Sequence, residues 1–243
     1  MRTLTLIYSA YGLFIFGLIF AILLPFFLIA IFVPGCEHWT GTLNWLWAKS
    51  FFFFMFLNRS RIVYEAPLDR NQRYIFGANH FSYLDIPSMG LIRFNFKFIG
   101  KHSLKNVPVF GYMYSKLHVL VDRSNFKDRY ASWQRAKDEL QRGFSMAFFP
   151  EGGIYTKNPP DMVRFKDGCF RLAVEEQIPM VPVTIHRNHI LLPDGKPLMM
   201  HKGLVSVKVH RPIKPEGTDD EAVKKLKEQV WQVIEDEIKR TNP

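Results

Sequence analysis

A chain of 243 residues has room for one α/β domain and a membrane-embedded extension, and it buries a full core without disulfides. Its two cysteines, Cys36 and Cys169, stand far apart in no metal-ligand spacing, so a disulfide framework is not supported and both read as small buried hydrophobes. A net charge of +10 and a pI near 9.6 favour a polyanionic partner (nucleic acid, an anionic membrane or a phosphate-bearing substrate), and the Phe-rich N-terminal part favours the membrane.

Leu4 to Val33 runs without a charged side chain. That is longer than the apolar core of a secretory signal, about 7–15 residues, and lacks a convincing cleavage site. It suits a span of roughly 20 apolar residues. Pro25 either kinks this helix or divides it into a hairpin that enters and leaves one leaflet. Leu43 to Leu57, with Trp45, Trp47 and Phe51 to Phe54, is short for a span and rich in interfacial aromatics. It reads as a helix lying in or dipping into the bilayer, the alternative being a buried core helix. Lys49, Arg59 and Arg61 flank it, and the positive-inside rule then puts the remainder in the cytoplasm. Residues 1–58 thus read as membrane-embedded helices and 59–243 as a cytoplasmic domain.

Beyond Asn58, short β-forming runs alternate with helical patterns, which predicts an α/β fold with a mixed central sheet flanked by helices. Strands are expected at Arg73–Asn79, Phe96–Gly100, His118–Asp122, Ser145–Phe149, Met180–Ile185 and Val205–Arg211. Helices are expected at Asp128–Arg142, Gly168–Glu176 and Asp219–Arg240; the last carries Val223, Leu226, Val230, Ile234 and Ile238 on one face.

Asn79-His80-Phe81-Ser82-Tyr83-Leu84-Asp85 follows the first of these strands, where α/β domains place functional groups. Histidine five positions before aspartate does not meet it on a regular helix. The chain must turn at the strand end and enter a helix near Asp85, whose carboxylate then takes one imidazole N–H and leaves the other nitrogen as a base. Alone, this spacing is a weak signal. It is joined by Phe98-Ile99-Gly100-Lys101 continuing to Val121-Asp122-Arg123, by Phe148-Phe149-Pro150-Glu151-Gly152, by Phe165-Lys166-Asp167-Gly168, and by Ile178-Pro179-Met180-Val181-Pro182-Val183.

That order of blocks, from about Ile75 to Ile185, resembles the glycerolipid acyltransferase family, best known for 1-acyl-glycerol-3-phosphate acyltransferases. The resemblance implies that His80 is general base on the acceptor hydroxyl and that Asp85 orients it. It also implies that Lys101 and Arg123 line the acceptor phosphate pocket, that Glu151 and Gly152 shape the acceptor site, and that Pro179 and Pro182 support the acyl-donor side. A histidine with an unperturbed pKa near 6.5 suits this task. Backbone N–H groups at the strand–helix turn are expected to meet the developing oxyanion. No metal or cofactor is implied; acyl-CoA or an acyl-carrier protein serves as co-substrate. Membrane lipids and a lysophospholipid acceptor are the expected partners, and nucleic acid is not.

One departure matters. The third block usually continues to a small hydroxyl residue and then arginine or serine, whereas Gly153-Ile154-Tyr155-Thr156-Lys157 follows Gly152, so the arginine that commonly assists with the acceptor head group is missing. Lys157 or Arg164 is the expected substitute. The change leaves room for another acceptor, such as a lyso-aminolipid. Ser82 has no nucleophile-elbow pattern around it. A non-enzymatic, basic lipid-binding domain is the remaining rival, and the paired His80 and Asp85 argue against it.

Overall fold

The computed structural model describes residues 2–56, 59–122, 125–195 and 197–241. Two helices come first, α1 (Arg2–Phe32) and α2 (Trp39–Phe56), joined by a tight turn with a 3-10 segment at Cys36–His38. The domain follows as β1 (Ser60–Tyr64), β2 (Ile75–Ala78), α3 (Asp85–Gly90), β3 (Phe96–Lys101), α4 (Phe110–Leu117), β4 (Val119–Val121), α5 (Phe126–Gln141) and β5 (Ser145–Phe148). It closes with α6 (Gly168–Glu175), β6 (Met180–His186), α7 (Asn188–Leu191), β7 (Val205–Val209) and α8 (Asp220–Thr241).

The strands form one mixed sheet in the order β1-β7-β6-β2-β5-β3-β4, antiparallel only between β6 and β7. β2 and β6 are buried along their whole length because helices cover both faces, as parallel sheets require. Pro182 sits in this central strand, where a missing N–H would normally break the ladder. Met180 pairs with Ile213 and Val183 with Val209, so three steps on one side face four on the other. Pro182 lies opposite that bulge, where its carbonyl accepts from the His210 N–H at 3.0 Å and no N–H is asked of it. The expected strands and helices beyond Asn58 all form, with ends shifted by a few residues. β1 was not anticipated: its polar, partly exposed residues Ser60 and Arg61 hide an edge strand that pairs only with β7.

Pro25 does not divide α1, which stays one continuous helix of 31 residues; the hairpin turn falls instead at Val33–His38. α1 is long and apolar enough to cross a membrane. α2 is mostly buried: Leu43, Trp47, Phe51, Phe52 and Phe56 lie inside, and a minority, including Phe53 and Phe54, faces outward. The reason is that α2 lies between α1 and the domain, sharing a core with Leu84, Leu91, Met113 and Val205. Gly41 permits the approach, since a Cβ there would come within 2.8 Å of the Asn95 backbone.

α1 is docked along most of its length. The Ser9 hydroxyl accepts from the Met200 N–H at 2.8 Å, the Phe16 carbonyl accepts from Trp47 Nε1 at 3.0 Å, and Phe20 meets Phe110 edge-on. Phe32 stacks on Tyr112. From Ser9 to Phe32 this is about 35 Å of helix at 1.5 Å per residue. Its other face exposes Ile7, Phe14, Leu18, Ile22, Phe26 and Ile29 at helical spacing.

The turn after α1 is held by charge. Lys97, 1% exposed in β3, pairs with Glu37 and, at 2.7 Å, with Glu139 of α5, while Arg142 also contacts both acids. Removing both carboxylates would leave a buried ammonium unpaired. The Glu37→Ala/Glu139→Ala variant is therefore expected to lose about 3–5 kcal/mol in denaturant unfolding. Adding Lys97→Met should restore most of it; a triple variant no more stable than the double would contradict this account.

Candidate active site

β6, β2 and β5 are neighbours and parallel, so their carboxyl ends open at one edge of the sheet. β3, with Lys101 at its end, lies one strand beyond β5 and runs the same way. This edge is where open α/β sheets bind ligands. After β2 the chain does not continue extended: the Asn79 side chain takes over the ladder, accepting from the Ile185 N–H at 2.8 Å and donating to its carbonyl at 3.0 Å. The backbone is thereby free to turn at His80 and enter α3, whose first turn accommodates Pro87 because N–H groups there lack helical partners.

Asp85 begins α3 and is 1% exposed. Its Oδ2 accepts from the Phe81 N–H at 2.7 Å and the Ser82 N–H at 2.8 Å, and lies 3.1 Å from His80 Nδ1. Its Oδ1 accepts from Asn188 Nδ2 at 2.9 Å. With a carboxylate on Nδ1, that nitrogen carries the proton and Nε2 is left as the basic atom. Nε2 has no partner among the described residues. The ring is stacked on Phe149 with centroids 4.0 Å apart and is 8% exposed, so its orientation is fixed from two sides.

Glu151, the first residue of the third block to matter, sits 1% exposed behind this loop. One oxygen accepts from the His80 N–H at 2.7 Å and the other from the Val163 N–H at 3.1 Å. Glu151 thus bears on the site through the loop it holds rather than by facing an open pocket. The amides expected to meet an oxyanion are occupied: those of His80, Phe81 and Ser82 all donate to Glu151 or Asp85. The buried charge of Asp85 claims them first. Ser82 donates its hydroxyl to the Leu192 carbonyl at 2.7 Å.

The expected cations are spread out. Lys101 is exposed at the carboxyl end of β3, and Lys157 is exposed in the loop after Glu151. Arg164 lines a cleft against α8 with Phe165, Lys227 and Trp231. Arg123 lies outside the described residues. Gly152 adopts φ +85°, and a Cβ on it would come within 2.6 Å of Lys166 Nζ. Lys166 is the cation brought against the third block, 5.4 Å from the Tyr155 ring centroid, and it forms no ion pair among the described residues. It was not singled out because its contact depends on the fold of an irregular loop. Asn188 was missed as well, being 103 positions from Asp85.

A sequence profile of the acyltransferase family matches residues 59–186, more than half the chain. A 1-acyl-sn-glycerol-3-phosphate acyltransferase from Chlamydomonas reinhardtii is 33% identical over 157 residues, covering 64% of this chain and 46% of that protein. A lyso-ornithine lipid O-acyltransferase from Pseudomonas aeruginosa is 28% identical over 174 residues, covering 65% of each. The chain spans about half the length of the curated relatives it matches first. The crystal structure of the 1-acyl-sn-glycerophosphate acyltransferase PlsC from Thermotoga maritima superposes with a TM-score of 0.76, covering 100% of this chain and 98% of that one at 24% identity. At that identity the likeness establishes the shared fold.

Burial, with the Asp85 charge adding to it, pushes Glu151 up to about 7 against the pull of its two N–H donors. A carboxyl raised this way, from an unfolded value near 4.3, favours folding fully below about pH 4 and loses that contribution as pH rises through about 7. The wild type should therefore lose stability relative to Glu151→Gln across this window, read as denaturant midpoints. A difference that stays constant with pH would contradict the assignment.

Proposed function

The chain belongs to the acyltransferase family, and from that membership we propose that it transfers a fatty acyl group from a thioester to the free hydroxyl of a lysophospholipid, with 1-acyl-glycerol-3-phosphate as acceptor and phosphatidate as product. The observation that carries this reading is the buried His80–Asp85 pair at the carboxyl edge of the sheet, with Nε2 unengaged. In the proposed reaction His80 Nε2 removes the acceptor hydroxyl proton as that oxygen attacks the thioester carbonyl. Asp85 stabilises the imidazolium that forms. The tetrahedral intermediate then expels the thiolate, which takes the proton from His80, so the histidine ends neutral. The donor is acyl-CoA or an acyl-carrier protein, either of which supplies the same thioester.

For the acceptor phosphate the reading uses Lys101, Lys157 and Lys166, together with Arg123 of the second block. Lys166 is favoured as the stand-in for the missing third-block arginine, because Gly152, lacking a side chain, leaves its ammonium room against the block. Arg164, turned toward α8, is the less favoured of the two substitutes expected from sequence. A lyso-aminolipid acceptor is the second reading, favoured by the altered third block and by the similarity to a lyso-ornithine lipid O-acyltransferase.

Residues 1–58 act in this reading as the membrane-embedded part and 59–243 as the catalytic domain on the cytoplasmic face. A helix docked for about 35 Å against its own domain cannot also run through a bilayer about 30 Å thick. α1 is accordingly proposed to lie along one leaflet, its exposed apolar stripe toward the acyl chains. The basic surface would hold the domain against anionic lipid.

Reconstitution in vesicles tests the reading. Wild type should form phosphatidate from lysophosphatidate and a thioester donor, and His80→Ala should fall by about 10²–10⁴-fold. Acylation of a lyso-aminolipid alone would keep the mechanism and replace the acceptor; no reaction with either acceptor and either donor would remove the substrate class. Lys166→Ala should raise the lysophosphatidate KM about tenfold with kcat little changed, as loss of one charge-assisted contact predicts. An unchanged KM would exclude Lys166 from the phosphate site.

A further inference from the structure

Asn188 is 1% exposed, and its single amide nitrogen is shared between Asp85 Oδ1 and Ser88 Oγ, both at 2.9 Å. The direction of these bonds is not ambiguous. A carboxylate can only accept, and the Ser88 hydroxyl is already donating to the Leu84 carbonyl at 2.8 Å, so it too accepts from Asn188. The amide oxygen that remains is buried with no donor among the described residues. A side chain chosen for packing would not keep an unsatisfied carbonyl inside the protein. The backbone leading to it is also unusual: Arg187 adopts φ +60°, a left-handed conformation that non-glycine residues rarely take, and α7 starts directly after it. Both costs are borne where the chain leaves β6 and delivers one N–H to Asp85.

We infer that Asn188 is a positioning residue for the His80–Asp85 pair: its amide fixes the Asp85 carboxylate so that Oδ2 is presented to His80 Nδ1. Oδ2 is held by two backbone amides of its own loop, but among the described residues Oδ1 has only Asn188. Without that donor the buried anion is one hydrogen bond short, and water or a turned carboxylate takes up the deficit. Either change weakens Asp85's hold on the imidazole tautomer that leaves Nε2 basic. The other titratable groups close to Asp85 are His80 itself, Glu151 from the loop after β5 and His189 on α7. The inference rests on the reading of His80 and Asp85 as the reacting pair.

The test compares wild type, Asn188→Ala, Asn188→Asp and Ser88→Ala in the full chain, reconstituted in vesicles. Asn188→Ala should lower kcat by about 10- to 100-fold, with both KM values within about twofold of wild type. Ser88→Ala breaks the other bond of the same nitrogen and should leave kcat within about threefold. Asn188→Asp sets a second carboxylate against Asp85, and the acid limb of its kcat/KM profile should move to higher pH. A readout free of turnover accompanies these: the ¹⁵N spectrum of the His80 imidazole in detergent, which should lose its single Nδ1–H tautomer in Asn188→Ala. If wild type acylates neither acceptor, the proposed function fails, and the His80 spectrum alone judges Asn188. An unaltered His80 tautomer in a folded Asn188→Ala protein overturns the inference, as does a kcat loss matched by Ser88→Ala.

Discussion

A carboxylate sealed from water has to be given donors, and satisfying Asp85 organises this molecule. An ionised acid in a low-dielectric interior is costly unless each oxygen is hydrogen-bonded. Asp85 obtains two amides by folding the chain tightly from β2 into α3, a third donor from His80, and the last from the segment after the neighbouring strand β6. The tight turn aims the imidazole outward, and Glu151, reaching in from β5, holds the turn by the His80 amide. Three adjacent parallel strands thus meet at one point. Parallel pairing is what makes this possible, since it sends the loops after β6, β2 and β5 to the same edge.

The sequence made the parallel strands legible because buried strands write continuous apolar runs, and β2, β5 and β6 are such runs. The His80–Asp85 contact was legible too, since only a turn followed by a helix brings residues five apart together. Asn188 was not, because nothing local distinguishes a residue whose partner lies 103 positions earlier. β1 escaped for the opposite reason: an edge strand is half solvated and needs no apolar signature. The packing of α2 was not legible, because aromatic richness is common to bilayer interfaces and to cores, and the seat of α1 on its outer side is a tertiary fact.

The N-terminal hairpin belongs to the same construction. α1 and α2 share their core with Leu84, one residue before Asp85, and with Leu191 and Leu192 of the segment that carries Asn188. Ser82, inside the loop between His80 and Asp85, donates to the Leu192 carbonyl, and eight residues later Met200 donates to Ser9 of α1. The exposed apolar stripe of α1 and the histidine loop are therefore linked through one short stretch of chain. For the proposed substrate this is a practical arrangement. An acyl chain prefers bilayer to water by about 0.8 kcal/mol per CH₂, so an acceptor that slides in from the leaflet avoids extraction.

The third block shows how a site keeps its chemistry while its neighbourhood changes. Glu151 is fixed by two amides that the loop must satisfy in any case, so the positions after it are under far less constraint. Gly152 turns the backbone at φ +85° and has no side chain, and Lys166 occupies the room that this leaves. A cation thus arrives at Gly152 from the far end of the loop rather than directly from the block. A lysine is a point charge that tolerates several anion geometries, whereas an arginine fork selects a planar, bidentate one. In the proposed reaction, exchanging one for the other would weaken the geometric test applied to the head group and leave the His80–Asp85 pair untouched.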